Sequence, residues 1–303
     1  MTAYLHQEMI ELLQQLITTP SMSLEEDQTA EILIQCLEKH GVTGTERVKN
    51  NVLARNKHFD ESKPIVLLNS HHDTVKPNAG YTRDPFSADI EGDILYGLGS
   101  NDAGGCLVSL MACFLYFYER ENLDFNVLFC ASAEEEISGT TGIALAKDYF
   151  PPIAFGIIGE PTQTQLAISE KGLIVINAEA KGRAGHAARK EGENAIYKAM
   201  LDIEKIRNYR FEKESPMLGP VIMSVTQIEA GYQHNVVPDK CSFVVDVRPN
   251  DCYTNAEIVR IIQEHVEGEV VPRSLHLNSS GISSTHAIVE KARELGVATV
   301  SSK

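Results

Sequence analysis

The sequence predicts an α/β protein with a small split βαβ domain inserted into it. Three observations carry this. Up to Pro161, short apolar runs of strand length alternate with helix-like segments. After Pro161 the apolar residues alternate with polar ones, in the order β-α-β-β-α-β. The 303 residues are 43% hydrophobic and 23% charged, enough apolar material for one large or two medium cores.

The elements follow in order. Residues 1–20 read as an amphipathic helix, with Ile10, Leu13 and Ile17 at helical spacing. Glu8 and Glu11 interrupt the apolar residues, which argues against a signal peptide. Residues 25–40 are a helix with Ala30, Leu33, Ile34 and Leu37 on one face and Gly41 as its stop. Residues 64–69 are a strand buried on both faces. Residues 103–120 are a buried helix; the uncharged stretch 103–118 is too short for a span of roughly 18–20 residues. A strand at 125–132, a short helix at 141–149 and a strand at 154–158 complete the first part. Beyond it come strands at 173–180, 221–228 and 241–248, helices at 194–207 and 254–267, and a last short strand holding Leu275 and Leu277. A helix at 287–295 follows. The expected division is a first domain of 1–168 plus 279–303 and an inserted domain of 169–278.

Charge and cysteines exclude some functions. With 27 Lys and Arg against 42 Asp and Glu, the net charge is −15. That argues against nucleic acid or an anionic membrane as partner. The six cysteines form no C-x-x-C pair, and most lie in apolar runs such as Val127-Leu128-Phe129-Cys130. They read as reduced core thiols of a cytoplasmic protein.

The polar residues of interest stand at the ends of the buried strands. Ser70-His71-His72-Asp73 ends the first, and His71 and Asp73, two apart, can point the same way. Asp73 suits either ligation or the orienting bond that a metal-bound imidazole makes through its other nitrogen. Asp102 lies in a glycine-rich turn, Gly97 to Gly105, before the apolar helix. That turn lacks the full phosphate-binding patterns, and Asp102 alone reads equally as a helix cap. Glu134-Glu135-Glu136 follows the second strand, and three adjacent carboxylates repel unless a cation joins them. Glu160 follows the third strand. Each motif alone has an ordinary reading as a surface loop. Four strand ends carrying such groups together point to one ligand site, because open α/β sheets bind ligands there. One His among carboxylates suits zinc, cobalt or manganese better than calcium.

With these motifs, and with Ala184-Gly185-His186-Ala187-Ala188 and Asn235-Val236-Val237-Pro238 in the same order, the chain resembles the M20 family of metallopeptidases and amidohydrolases. Within it, acetylornithine deacetylases and succinyl-diaminopimelate desuccinylases are most similar. The resemblance covers most of the chain. It implies a zinc-exopeptidase-like α/β metal domain carrying a ferredoxin-like dimerisation (lid) domain, and a cytoplasmic homodimer. It implies two divalent metal ions, zinc first and cobalt as the alternative. His71, Asp102, Glu136 and Glu160 would be metal ligands, with Asp102 bridging. Asp73 would orient His71, Glu135 would be the general base, and Glu134 would match the acidic residue before the family's Glu-Glu pair. His186 would reach the partner subunit's site, and Asn235 and Arg248 would contact substrate. The expected substrate is a small N-acyl amino acid, N-acetylornithine first, converted to ornithine and acetate in arginine biosynthesis. A desuccinylase or dipeptidase is the alternative enzyme, and a metal-binding remnant the alternative without activity. The family's last ligand is a His in a region following the returned helix. His276 and His286 do not stand in that context, so the expectation is that the C-terminal part is truncated.

Overall fold

The computed structural model describes residues 3–189 and 191–302, which divide into two compact units, Met1–Pro161 and Thr162–Lys303. The first unit contains α1 (Ala3–Thr18), α2 (Asp27–Lys39), β1 (Glu46–Val48), β2 (Asn51–Arg55), β3 (Ile65–His71), β4 (Ile90–Glu91), β5 (Ile94–Leu95), α3 (Gly105–Tyr118), β6 (Asn126–Ser132), α4 (Ile143–Ala146) and β7 (Phe155–Ile158). Its main sheet has the order β1-β2-β6-β3-β7. β3 pairs in parallel with β6 and β7, while β1 and β2 form an antiparallel edge ribbon.

Burial explains the layers. All seven residues of β6 are buried, as a central strand covered on both faces requires. One face receives α1, α2 and α3 through residues such as Leu13, Ile17, Leu33, Leu37, Leu107, Met111 and Phe114. The other face carries Leu67, Leu128 and Cys130 under Ala146 of α4. The α1 stripe is Met9, Leu12, Leu13, Leu16 and Ile17, so Ile10 is only half-buried. α2 ends at Lys39 with His40 as its C-cap, and Gly41 turns the chain with a φ of 73°.

The second unit contains β8 (Leu166–Glu170), β9 (Ile174–Lys181), β10 (Gly185–His186), α5 (Ala195–Asn208), β11 (Ile222–Ala230), β12 (Val236–Val237), β13 (Lys240–Arg248), α6 (Asn255–His265), β14 (Glu269–Pro272), β15 (Ser280–Gly281), α7 (Ala287–Glu294) and β16 (Thr299–Ser302). β11-β13-β9-β14 is an antiparallel sheet. Alternate residues of β9 and β13, Ile174, Ile176, Phe243 and Val245 among them, pack under α5 and α6. Asn194 caps α5, and Thr254 and Glu257 form a reciprocal capping box on α6. The mixed α/β class and the split βαβ arrangement are as expected.

One strand differs. The last strand of this sheet is β14, not the segment of Leu275 and Leu277. Val270 supplies the inward apolar residue, whereas Leu275 and Leu277 are exposed. Their carbonyls accept hydrogen bonds from Asn255 instead. A third sheet, β15-β8-β16, brings the segment after residue 279 beside 166–170 within the second unit. All six cysteines are free thiols. Burial pushes Cys130 up to about 12 and, with Glu8 nearby, Cys36 up to about 11. Among the described residues no helix is long and apolar enough to cross a membrane.

Candidate metal centre

Parallel β3, β6 and β7 end on one side of the first sheet, so the loops that follow them share one edge. His71 is the last residue of β3 and is buried. Its Nδ1 lies 3.0 Å from the Asp73 carbonyl and 3.4 Å from Asp73 Oδ1. Its Nε2 therefore faces outward, 3.1 Å from Asp102 Oδ1 and 3.9 Å from both Glu135 Oε2 and Glu160 Oε1. His71, Asp102 and Glu136 each offer a ligand atom, all within 4.8 Å of one another. The neighbouring His72 differs. Thr29 Oγ1 and the Asn50 carbonyl engage its two nitrogens, and burial lowers its pKa.

Asp102 sits in an irregular turn, Ser100–Gly104, with non-helical dihedrals, and gives no cap to α3. The glycines around it serve close packing: a Cβ on Gly104 would stand 2.6 Å from both the Gly99 carbonyl and Leu13. Glu160 follows Gly159, whose carbonyl accepts from the Ser70 hydroxyl and whose N–H donates to Asn69.

The three glutamates divide their work. Glu134 has a φ of 56°, and its carboxylate accepts from the N–H and hydroxyl of Thr141. Its carboxylate is thereby committed to the turn. Glu135 and Glu136 remain at the cluster, their N–H groups donating to the two oxygens of Asp73 at 3.0 and 3.1 Å.

The electrostatics suit a cation. Burial works against charge on His71, but Asp73, Glu160 and Glu135 outweigh it and raise its pKa to about 9. Burial first, and the surrounding carboxylates after it, raise Glu160 to about 7 and Glu136 above its usual range. Asp73 goes the other way. Burial opposes its charge, yet bonds from His71, Ser23 and the two turn amides hold its carboxyl below the usual range. A carboxylate cluster strained by its own repulsion, with an imidazole aimed at it, fits divalent metal.

In the second unit, His186 in β10 pairs with Val236 in β12, and the Ala187 N–H donates to the Asn235 carbonyl. The structure thus places His186 and Asn235 on one small ribbon. Arg248 lies at the end of β13, its guanidinium bound bidentately by Asp246 at 2.8 and 3.1 Å. His286 caps α7 by accepting from the Ile288 N–H.

Ser21, Ser23, Glu26, Asn50 and Asn51, which no motif marks, brace the strand ends. Ser21 bonds the His72 carbonyl and Ser23 bonds Asp73. Ser21, Ser23 and Glu26 show only as a Ser-Met-Ser-Leu-Glu-Glu run before a helix, which reads as an ordinary helix start, and Asn50 and Asn51 belong to no motif.

Fold and cluster together define an α/β protein with a candidate metal centre at the strand ends. Residues 168–273 match the model of the M20-type peptidase dimerisation domain. A succinyl-diaminopimelate desuccinylase of Gluconobacter oxydans is 25% identical over 76% of this chain and 63% of its own length. One from Rickettsia bellii is 25% identical over 93% of this chain and 78% of its own. The chain thus spans less than two thirds of the first relative. An M20 family metallo-carboxypeptidase of Sulfolobus solfataricus superposes with a TM-score of 0.73 at 20% identity, covering 97% of this chain and 85% of its own. A Bacillus subtilis protein described as a dinuclear metal binding peptidase of the M20 family gives 0.72 at 17%, covering 100% and 83%. The chain carries an M20 dimerisation domain and has the fold of the M20 metallopeptidases, and the resemblance read from the motifs holds.

Proposed function

We propose that this chain is a metal-dependent hydrolase of the amide bond of an N-acyl amino acid. The observation that carries the reading is the convergence of His71, Glu135, Glu136 and Glu160, at the ends of three parallel strands, with Asp102 from the turn before α3. His71, Asp102, Glu136 and Glu160 would hold two divalent ions, zinc first. Such ions, when bound, supply Lewis acidity and lower the pKa of water from about 15.7 toward about 7. Glu135 would take the proton from the attacking water and return it to the leaving amine. Asp73 would keep the His71 tautomer by holding Nδ1. His186 would donate to the carbonyl oxygen as charge develops there, from the partner subunit of a homodimer. Asn235 and Arg248 would bind substrate. A substrate carboxylate at Arg248 would compete with Asp246 for the guanidinium fork.

The metal domain would comprise 1–168 and 279–303, and the lid 169–278. The parallel pairing of β16 with Leu166 and Ala167 supports this, because it sets residues 299–300 beside the end of the first segment. The motifs put N-acetylornithine first among substrates. The relatives named desuccinylases favour N-succinyl-diaminopimelate as the second. Ornithine or diaminopimelate release from each, with zinc added, decides between them. Cleavage of dipeptides alone would move the reading to a peptidase, as the carboxypeptidase neighbour allows. No release from any of them would overturn it.

A further inference from the structure

We propose that Glu26 is a positioning residue for the candidate metal centre, setting the acidic turn that aims Glu135 and Glu136. The inference rests on the hydrolase reading. Glu26 is fully buried at the N-cap position of α2, yet gives its own helix no side-chain bond. An N-cap side chain ordinarily accepts from the first turn of its helix. Here the carboxylate is used elsewhere. Oε1 accepts from the Leu24 N–H at 2.8 Å and from the Glu134 N–H at 3.2 Å, and Oε2 from the Asn50 amide at 2.8 Å. Leu24 reaches it from the left-handed region, with a φ of 76°.

The bond to Glu134 belongs to a series. The four consecutive N–H groups of residues 133–136 each donate to a buried side-chain oxygen. Ala133 donates to Asn51 at 3.1 Å, Glu134 to Glu26, and Glu135 and Glu136 to Asp73 at 3.0 and 3.1 Å. A backbone held at every N–H has little freedom to rotate the side chains it carries. Asp73 touches His71 as well, so its bonds serve two tasks. Glu26 touches none of the proposed ligands and acts on the site through the turn. Asn50 extends the link, because its carbonyl engages His72, the residue after His71.

The test compares Glu26→Met with Asp202→Asn in the full chain. Asp202 is a matched case in the other unit, a buried carboxylate accepting from the Glu267 and Gly268 N–H groups at 3.0 and 2.9 Å. Glu26→Met keeps the length of the side chain but removes both acceptor oxygens, so the Leu24 and Glu134 N–H groups lose theirs. Two readouts are taken: amide exchange of residues 133–136 in the metal-free protein, and zinc affinity by chelator competition. In Glu26→Met, exchange should rise about tenfold or more and zinc affinity fall about 10–100-fold. Asp202→Asn should change neither. Unchanged exchange, or faster exchange with wild-type zinc affinity, overturns the proposal. An equal loss of zinc affinity in Asp202→Asn also overturns it, by showing a general effect of stability. A wild-type chain that binds no zinc overturns the hydrolase reading instead, and the exchange result alone then decides whether Glu26 sets the turn.

Discussion

Asp73→Asn changes almost no volume, so its effects trace to hydrogen bonding and charge. Asp73 is buried and uses both oxygens: Oδ1 accepts from the Glu135 N–H, and Oδ2 from the Glu136 N–H and the Ser23 hydroxyl. An asparagine has one acceptor. Whichever oxygen becomes NH₂, one turn amide loses its acceptor and faces a donor. A buried donor left unpaired costs about 1–3 kcal/mol. The charge beside His71 Nδ1, 3.4 Å away, is lost as well. Zinc affinity should then fall about 10–100-fold, equivalent to about 1.4–2.7 kcal/mol. Chelator competition reads the affinity, and urea unfolding of the metal-free protein reads the stability. The wild-type share of that stability should also disappear in acid, because Asp73 is held below its usual range and the contribution is lost as pH falls through its lowered pKa. An Asp73→Asn protein with wild-type zinc affinity and wild-type unfolding would refute the reasoning.

Three further outcomes are expected. In the metal-free protein His71 titrates near 9 and Glu160 near 7, so zinc uptake at pH 7 should release roughly 1–2 protons and tighten as pH rises toward 9; calorimetry in buffers of different ionisation enthalpy would read a pH-independent uptake if this is wrong. Both groups are raised in the fold, so the native state holds more protons than the unfolded chain. Their contribution to metal-free stability should decline from about pH 4.5 to 9, and a melting temperature that climbs through neutral pH only when Glu160 and His71 are intact would contradict the sign. Gly142→Ala should destabilise by about 1–3 kcal/mol, because a Cβ there would lie 2.0 Å from the Ala133 carbonyl; a wild-type urea midpoint would count against the packing described.

Much of this architecture was legible because its signals are local. β3 and β6 are continuous apolar runs, and only a doubly covered strand tolerates them. The charged groups that follow such strands have nowhere to go but the sheet edge, which made His71, Glu135, Glu136 and Glu160 readable as one cluster, while Asp102 was read from its glycine-rich turn. Two kinds of feature escaped. Strands such as β1, β8 and β16 are short and half-polar, so they carry little periodicity, and the strand character of β8 and β16 comes from pairing with each other across more than 130 residues. The bracing groups escaped for a related reason. Glu26 reads as a helix start, and nothing in its neighbourhood announces a bond to Glu134, 108 residues away. Leu275 and Leu277 show the opposite error, apolar residues that suggested a strand but stay exposed.

The most direct test of the central claim measures zinc content and amide hydrolysis together, in the wild-type chain and in Glu135→Ala. N-acetylornithine and N-succinyl-diaminopimelate serve as substrates. About two zinc ions are expected in both proteins, with hydrolysis by the wild type and a rate about 10²–10⁴-fold lower in the variant. A variant that hydrolyses as fast as the wild type, or a wild-type chain that takes up no zinc, would contradict it.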